Sequence, residues 1–219
     1  MVLADSQTGG KGRLGRKWAS PPGLNIYMSV ILRPDETPGL ASSPGLVPLW
    51  AGLAAHSAIM EFSGLETSLK WPNDIMAGER KLGGILLEAR SQGSDMSHAV
   101  LGMGINVNSA ESDFPPELEG TATSLMIETG RPQEIEGMIR ALTLWLGRML
   151  AMMGEPGGPE TMLRQYRASC STLGREVRAR MNGKETTGMA IDIDETGRLL
   201  LLLDEKTIPI SSADIVHLR

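Results

Sequence analysis

Near Gly174 the sequence switches to short, closely spaced apolar stretches, and this switch constrains the fold more than any other feature of the sequence. Beyond it, short apolar stretches follow one another closely at 177–181, 186–193, 199–204, 206–210 and 215–218. Turn residues separate them at Asn182-Gly183, Glu195-Thr196-Gly197 and Asp204-Glu205. Closely spaced strands with tight turns are typical of a small barrel. We therefore expect an all-β domain over residues 173–219 and a first, larger domain over residues 1–172.

The first part of the chain mixes strand and helix periods. Residues 24–32 alternate apolar and polar side chains, which predicts a half-buried strand. Residues 45–62 carry apolar side chains at helical spacing, which predicts a helix packed on a sheet. Further strands are predicted at 1–4, 67–71, 81–89 and 98–107, and further helices at 133–153 and 160–168. The expected fold class is α+β, an α/β body with a mixed sheet and packed helices, followed by the small β domain.

Composition argues against several classes of protein. The net charge is −5, which disfavours a general nucleic-acid binder, and we expect no specific DNA binding. No apolar run approaches the roughly 20 residues of a membrane-spanning helix, so no membrane partner is expected. One cysteine, Cys170, excludes an internal disulfide and suits a reducing cytoplasm. The three histidines lack metal-ligand spacing, so no metal-binding residues are predicted.

The first segment with chemical content is a basic, glycine-rich loop. It reads Gln7-Thr8-Gly9-Gly10-Lys11-Gly12-Arg13-Leu14-Gly15-Arg16-Lys17-Trp18, and no acid occurs from Ser6 to Pro34. Glycines let backbone N–H groups turn toward a ligand, and the cations neutralise it, so the pattern favours a phosphate or carboxylate cradle. A flexible, solvated loop is the alternative that composition leaves open.

The second segment is Lys70-Trp71-Pro72-Asn73-Asp74, followed by Lys81-Leu82-Gly83-Gly84-Ile85-Leu86-Leu87-Glu88. A lysine at the end of an apolar strand is partly desolvated, and there an ammonium acts strongly on an anion. Glycines inside a strand often mark the close approach of a ligand or of another backbone.

The third segment is Gly102-Met103-Gly104-Ile105-Asn106-Val107-Asn108. Its glycines again interrupt a strand, and Asn106 can both donate and accept hydrogen bonds. It lacks the third glycine of a dinucleotide fingerprint and opens no helix, which excludes a Rossmann site.

In this order the three segments resemble the catalytic core of the biotin protein ligases. That family carries a Gln-x-x-Gly-Arg-Gly-Arg-x-Gly-Arg-x-Trp loop, a Lys-Trp-Pro-Asn-Asp strand end and a Gly-x-Gly-Ile-Asn strand. Thr121-Ala122-Thr123-Ser124-Leu125 also looks like a short motif of the family. The resemblance covers essentially the whole chain. It implies a class II synthetase-like catalytic domain and a C-terminal SH3-like β-barrel, of the ligase-only type without a helix-turn-helix domain.

The resemblance further implies a two-step reaction with ATP, Mg²⁺ and biotin. The biotin carboxylate attacks the α-phosphate of ATP, giving biotinyl-5′-AMP and pyrophosphate. A lysine of a biotin carboxyl carrier protein then attacks the acyl carbon, and AMP leaves. The implied partner is the carrier domain of a biotin-dependent carboxylase, and homodimerisation is left open.

Carried over position by position, the resemblance assigns roles to residues of all three segments. The catalytic residues would be Lys70 and Arg13. The biotin-binding residues would be Gln7, Gly10, Lys11, Gly12, Arg13, Lys70, Gly84 and Gly102. The ATP-binding residues would be Arg13, Arg16, Trp18, Lys70, Asn73 and Asn106.

The chain departs from the family pattern at two places. The family usually has arginine where this chain has Lys11, which keeps the charge but loses the bidentate fork. Family members also place a strand, a helix and a Ser-Thr-Asn-like biotin contact before the basic loop. This chain starts almost at the loop, so either its start site is misassigned, or the sequence is a fragment, or its biotin pocket is incomplete.

Two other functions remain open at this stage. Lipoate and octanoate ligases and transferases share the architecture and also acylate a carrier lysine. A biotin-ligase-like binding protein without activity is the second alternative, since the upstream elements are missing. Biotin-dependent release of pyrophosphate separates these readings.

Overall fold

The computed structural model describes residues 1–92, 95–181, 184–211 and 213–218. The strands of the first part are β1 (Val2–Ala4), β2 (Ile26–Leu32), β3 (Ser68–Lys70), β4 (Asp74–Ala77), β5 (Arg80–Gln92) and β6 (Asp95–Ile105). The helices are α1 (Leu46–Ser63), α2 (Leu125–Thr129), α3 (Ile135–Met153) and α4 (Gly158–Ser169). The second part contains β7 (Glu176–Met181), β8 (Lys184–Ile193), β9 (Leu199–Leu203), β10 (Lys206–Ile210) and β11 (Asp214–His217).

The first six strands form one sheet in the order β1-β2-β6-β5-β4-β3. The predicted mixed sheet is wrong, because every pair of named strands in the described residues is antiparallel. The physical reason is the length of the connections. From β3 to β6 successive strands are joined by turns, whereas parallel neighbours need a crossover of a dozen or more residues.

Helix α1 packs between the sheet and the helices α3 and α4. It is buried on most of its surface, and Leu49, Ala54 and Ile59 are fully enclosed. Its small residues allow the close approach, since a Cβ at Gly52 would already touch Leu69 and Ile85. The predicted helix on a sheet is present, and it forms the central layer of the first part rather than an outer one.

The remaining strands form a five-stranded antiparallel sheet in the order β10-β9-β8-β7-β11. Val177, Ala190, Leu199 and Leu201 form its buried face. The predicted turn at Asn182-Gly183 lies outside the described residues. We propose that a domain boundary falls at residue 172, between α4 and this sheet.

Residues 170–172 join the two sheets. Cys170 forms a parallel bridge with Leu69, and the Ser171 amide donates to the Leu69 carbonyl over 2.8 Å. The Trp71 indole Nε1 donates to the Gly197 carbonyl in the turn between β8 and β9 over 3.0 Å. The end of β3 is therefore fixed both by the connecting segment and by the second sheet.

His217 of β11 faces this junction. Burial lowers the pKa of His217 to about 4, and the nearby cations Lys70 and Arg175 act in the same direction. Glu79 opposes them with a smaller effect. In the unfolded chain a histidine has a pKa of about 6.5, so the unfolded state binds more protons than the folded state between these two values.

We expect the free energy of unfolding to fall as the pH decreases from about 6.5 toward 4, partly because His217 must be protonated. The His217→Gln variant should lose stability less steeply over this range than the unmodified chain. Urea unfolding at several pH values measures the slope. His98→Gln, on β6 and away from the junction, is the matched control. A slope that His217→Gln leaves unchanged would contradict this assignment.

Candidate functional site

A cavity of about 610 Å³ lies against the first sheet, between the basic loop and the second sheet. Its cationic wall residues are Lys11, Arg13, Arg16, Lys17, Lys70 and Lys81. Its acidic wall residues are Asp74, Glu79, Glu88, Asp113 and Asp214. Cations from separate sequence segments therefore converge on one space, as an anion-binding site requires.

The structure brings nearly all of the predicted site residues to this cavity. Its walls include Gln7, Lys11, Gly12, Arg13, Arg16, Trp18, Lys70, Asn73, Gly84, Gly102 and Asn106. Gly10 is the exception and packs inside the loop. A Cβ at Gly10 would lie 2.5 Å from the Trp18 carbonyl oxygen, so only glycine fits there.

The basic loop is held by hydrogen bonds of its own backbone. The Trp18 amide donates to the Gly10 carbonyl over 2.9 Å, and the Gly12 amide donates to the Arg16 carbonyl over 2.7 Å. Lys11 and Lys17 form an antiparallel bridge between these contacts. The loop thus folds back on itself as a narrow ribbon that carries its cations along the cavity.

Arg13 lies where the loop meets the Lys70–Asp74 segment. Its Nη1 donates to Oδ1 of Asn73 over 2.8 Å, and Nδ2 of Asn73 donates to the Ile85 carbonyl over 3.0 Å. Burial lowers the pKa of the Arg13 guanidinium, and the carboxylates of Asp74 and Asp214 oppose that change. An arginine stays charged in proteins, so Arg13 presents a fixed, partly desolvated cation.

Three glycines form the floor of the cavity. Gly84 of β5 stands directly opposite Gly104 of β6, and Gly102 lies two residues away on the same face of β6. We call these three residues the glycine floor. The indole of Trp18 lies on it, because a Cβ at Gly104 would be 2.5 Å from Cε2 of Trp18. Because glycine has no side chain, a planar group such as the Trp18 indole can lie directly on the backbone at these positions.

Lys81 is a site residue that the sequence-based assignment missed. Its Nζ lies 2.6 Å from Oδ1 of Asp74 and 5.5 Å from the centroid of the Trp18 ring. A Cβ at Gly84 would lie 3.3 Å from the Lys81 Nζ, so the ammonium is beside the glycine floor. The signal was present in the sequence, since Lys81 opens the same segment that contains Gly84.

Lys70 lines the cavity from the end of β3, opposite Asp74 in the strand register. Within the described parts of the chain Lys70 makes no ion pair, in contrast to Lys81. Lys11 also has a partner, since its Nζ lies 3.8 Å from a carboxylate oxygen of Glu88. Lys70 is therefore a cation that can meet an anionic ligand without first giving up a carboxylate.

Gln7 and Asn106 already use their side-chain amides within the protein. Oε1 of Gln7 accepts from the Ser20 hydroxyl over 2.8 Å. Nδ2 of Asn106 donates to the Thr123 carbonyl over 2.9 Å, and Asn106 is buried. Asn106 thereby holds the segment from Thr121 to Leu125 next to the floor.

The second sheet contributes Asp214 to the cavity. Its carboxylate forms an ion pair with the Arg16 guanidinium of the basic loop. No local sequence pattern predicts this contact, because the two residues are 198 positions apart in the chain. The ion pair connects the second sheet to the loop that we predicted to bind the anion.

The remaining polar candidates have structural surroundings. His56 contacts the Thr67 hydroxyl, and Cys170 is a free, buried thiol. Among the residues that the structure describes, no group of three histidine, cysteine or acidic side chains could hold a metal ion. No described helix has the length and apolarity needed to cross a membrane.

The arrangement suits an anionic ligand that also has a flat portion. Fixed cations stabilise a carboxylate or phosphate, and an indole over bare backbone can stack on a planar ring. An antiparallel α+β fold with such a cavity defines a class of anion-binding proteins.

Comparison with known proteins identifies the family within this class. Residues 1–106 match the Biotin/lipoate A/B protein ligase family, and residues 172–218 match the biotin protein ligase C terminal domain. A biotin--[acetyl-CoA-carboxylase] ligase of Mycobacterium tuberculosis is 35% identical over 224 residues, which covers 100% of this chain and 79% of the relative. The chain belongs to the biotin protein ligase family.

One further relative and one solved structure are also similar to the chain over nearly its whole length. The bifunctional ligase/repressor BirA of Bacillus subtilis is 38% identical over 98% of this chain, which spans 65% of the length of that relative. The structure of a biotin protein ligase from Aquifex aeolicus in complex with biotin and ATP superposes with a TM-score of 0.84. That protein is 32% identical, and the match covers 99% of this chain and 88% of the other.

The glycine floor makes a direct prediction about Trp18. Gly104→Ala places a methyl group inside the indole ring, so we expect Trp18 to be displaced and the protein to lose about 1–3 kcal/mol of stability through overpacking. Gly102→Ala is the matched control, because a Cβ there meets only Leu86, at 3.7 Å. The indole N–H resonance of Trp18 should shift in Gly104→Ala and stay in place in Gly102→Ala. Unchanged Trp18 resonances in both variants would refute this packing.

Proposed function

We propose that the chain activates biotin with ATP to biotinyl-5′-AMP and transfers the biotinyl group to a lysine of a biotin carboxyl carrier protein. One observation carries the proposal. Cations of the basic loop, of the Lys70–Asp74 segment and of β5 meet over the glycine floor in a single cavity. The likeness to the ligases named above supports the same activity.

The first step needs positive charge more than it needs proton transfer. A carboxylate oxygen of biotin forms a bond to the α-phosphorus, and the bond to the β-phosphate bridging oxygen breaks with release of pyrophosphate. Charge builds on the phosphoryl oxygens as this happens. We place Lys70 and Arg13 at these oxygens, because both cations line the cavity from fixed backbone positions. Lys81 joins them from its place beside Gly84 of the glycine floor.

We assign the two ends of the cavity to the two substrates. The biotin end consists of Gln7, Lys11, Gly12, Gly84 and Gly102, and Gly10 acts through the loop that carries Lys11. The nucleotide end consists of Arg16, Trp18, Asn73 and Asn106. Trp18 offers a stacking surface for adenine, whereas Asn73 acts by holding Arg13 and Asn106 acts by holding Thr123.

The second step transfers the acyl group. The uncharged amine of a carrier lysine attacks the carbonyl carbon of biotinyl-5′-AMP, the C–N bond forms, and AMP leaves with the electrons of the C–O bond. The lysine proton passes to water. AMP is a good leaving group only while its phosphate charge is neutralised, so the same cations serve both steps.

Mg²⁺ fits this site as an ion that binds together with the nucleotide. The described residues contain no cluster of three metal-ligating side chains, and Mg²⁺ typically binds through substrate phosphates, waters and one or two carboxylates. Asp74 and Asp214 are carboxylates of the cavity wall that could supply such a contact. When bound, the ion adds charge neutralisation at the phosphates.

That the protein acts in the cytoplasm stays a prediction from the single cysteine.

Pyrophosphate release in the presence of ATP and one acid tests the activity and its substrate class. We expect release with biotin and none with lipoate or octanoate at the same concentration. Addition of a carrier domain should then give a mass increase by one biotinyl group. Release with lipoate in place of biotin, or with none of the three acids, would contradict the proposal.

Lys70→Ala should slow biotin-dependent pyrophosphate release about a hundredfold, because the loss of one preorganised contact to developing charge costs about 3 kcal/mol. Lys81→Ala should also lower the rate. It should destabilise the fold as well, since Asp74 loses its partner at 2.6 Å. Lys206→Ala, on the edge strand β10, is the control and should keep the full rate. A Lys70→Ala variant with the rate of the control would remove Lys70 from the mechanism.

The basic loop should become ordered over the ligands. It carries cations on both sides of its ribbon, so bound anions add partners that its own hydrogen bonds do not supply. We expect trypsin to cleave after Lys11, Arg13, Arg16 or Lys17 more slowly when biotin and ATP are both present. Cleavage after Lys206, which directly follows the turn at Asp204-Glu205 and lies outside the cavity wall, serves as the internal control. Equal protection at both places would argue against ligand-induced ordering.

A further inference from the structure

The peptide group that joins Lys70 to Trp71 is held at both ends. Its carbonyl accepts from the Asn73 amide over 3.1 Å. Its N–H donates to Oγ1 of Thr172 over 3.0 Å. A peptide group is planar and rigid, so these two hydrogen bonds fix the direction in which the Lys70 side chain leaves the backbone.

The Thr172 hydroxyl has a second partner on the other sheet. Its Oγ1 lies 3.1 Å from Nε2 of His217 on β11. Oγ1 accepts the Trp71 N–H and keeps both its own proton and a second lone pair for the hydrogen bond with His217. The low pKa of His217 keeps the imidazole neutral near pH 7, so Nε2 either accepts the hydroxyl proton or donates its own, according to the tautomer.

The surroundings make this arrangement costly to change. Thr172 is fully buried, and Trp71 is only 1% exposed. The Trp71 indole N–H is also bound, to the Gly197 carbonyl of the second sheet. A backbone N–H that lost the Thr172 hydroxyl would find no water to replace it.

We propose that Thr172 and His217 are positioning residues for Lys70, and that the second sheet thereby sets the geometry of the cavity cation. The hydrogen bonds run from His217 through Thr172 to the peptide group of Lys70. The catalytic consequence rests on the proposed ligase activity, but the placement of Lys70 does not.

Chemical labelling tests the placement independently of activity. Thr172→Val removes the hydroxyl and keeps the shape, while Thr172→Ser keeps the hydroxyl and is the matched control. With acetic anhydride as the probe, peptide mass spectrometry gives the acetylation rate of Lys70 and of Lys81. We expect Thr172→Val to raise the Lys70 rate about fivefold, a change equivalent to one lost hydrogen bond. The Lys81 rate should not change, because Asp74 holds that side chain.

His217→Phe is the second variant, and it keeps the test decisive if Thr172→Val fails to fold. It removes the imidazole partner of the Thr172 hydroxyl from a half-exposed position on β11. We expect it to raise the Lys70 rate in the same direction. A Lys70 rate equal to that of the unmodified chain in the folded variants would overturn the inference.

A double-mutant cycle tests the catalytic consequence. Thr172→Val should lower kcat for biotin-dependent pyrophosphate release about tenfold, since small misplacements of a catalytic group have large effects. The KM for biotin should change little, and Thr172→Ser should restore kcat. In the Lys70→Ala background Thr172→Val should have no further effect on kcat. An equal loss in both backgrounds would overturn the inference, because the hydroxyl would then act without Lys70.

The two tests separate this inference from the proposed function. An unmodified chain that releases no pyrophosphate with biotin refutes the ligase activity, and the labelling rates then decide the placement of Lys70 on their own. A ligase-active chain with unchanged Lys70 labelling refutes the positioning role and leaves the proposed function intact.

Discussion

Glycines on the cavity face of two neighbouring strands, β5 and β6, are the constraint on which the cavity depends. Gly84 and Gly104 face each other across β5 and β6, and Trp18 lies directly on their backbone. A methyl group at Gly104 would occupy the place of the indole ring. The sheet can bring glycines together in this way because the other face of the same strands carries Ile85 and Met103, which are buried in the core. The core face of β5 and β6 therefore contributes to stability, and the cavity face of the same strands provides the space for ligands.

The cations around this floor would repel one another if nothing balanced them. Two like charges 4 Å apart interact by about 4 kcal/mol in a partly exposed protein site. Three cations of the cavity wall have a carboxylate partner in an ion pair, namely Lys81 with Asp74, Lys11 with Glu88 and Arg16 with Asp214. Part of the positive charge of the cavity is thus balanced within the protein, and an arriving phosphate competes with these carboxylates. Among the residues that the structure describes, no carboxylate forms an ion pair with Lys70, which is why we place Lys70 at the reacting phosphate.

The second sheet is part of this site as well as a separate layer of structure. Asp214 reaches the basic loop, the Gly197 carbonyl binds the Trp71 indole, and His217 contacts the hydroxyl beneath Lys70. These contacts explain why a small β domain is useful to a cavity built on a different sheet. Its strands supply fixed groups from a direction that the first sheet cannot reach.

The sequence alone determined the local structure and the chemical character of this protein. Alternating and helical periods gave the strands and helices, and glycines interleaved with lysine and arginine predicted an anion site, because both signals lie in neighbouring residues. The signal for the pairing of strands does not lie in neighbouring residues. The first sheet was therefore predicted as mixed, whereas the structure shows it to be antiparallel. Only the tertiary structure decided the ion pair of Lys81 with Asp74, the contact of Asp214 with Arg16 and the link from His217 to Lys70. These contacts join residues that are distant in the chain or that point to one face only after the strands have twisted into place.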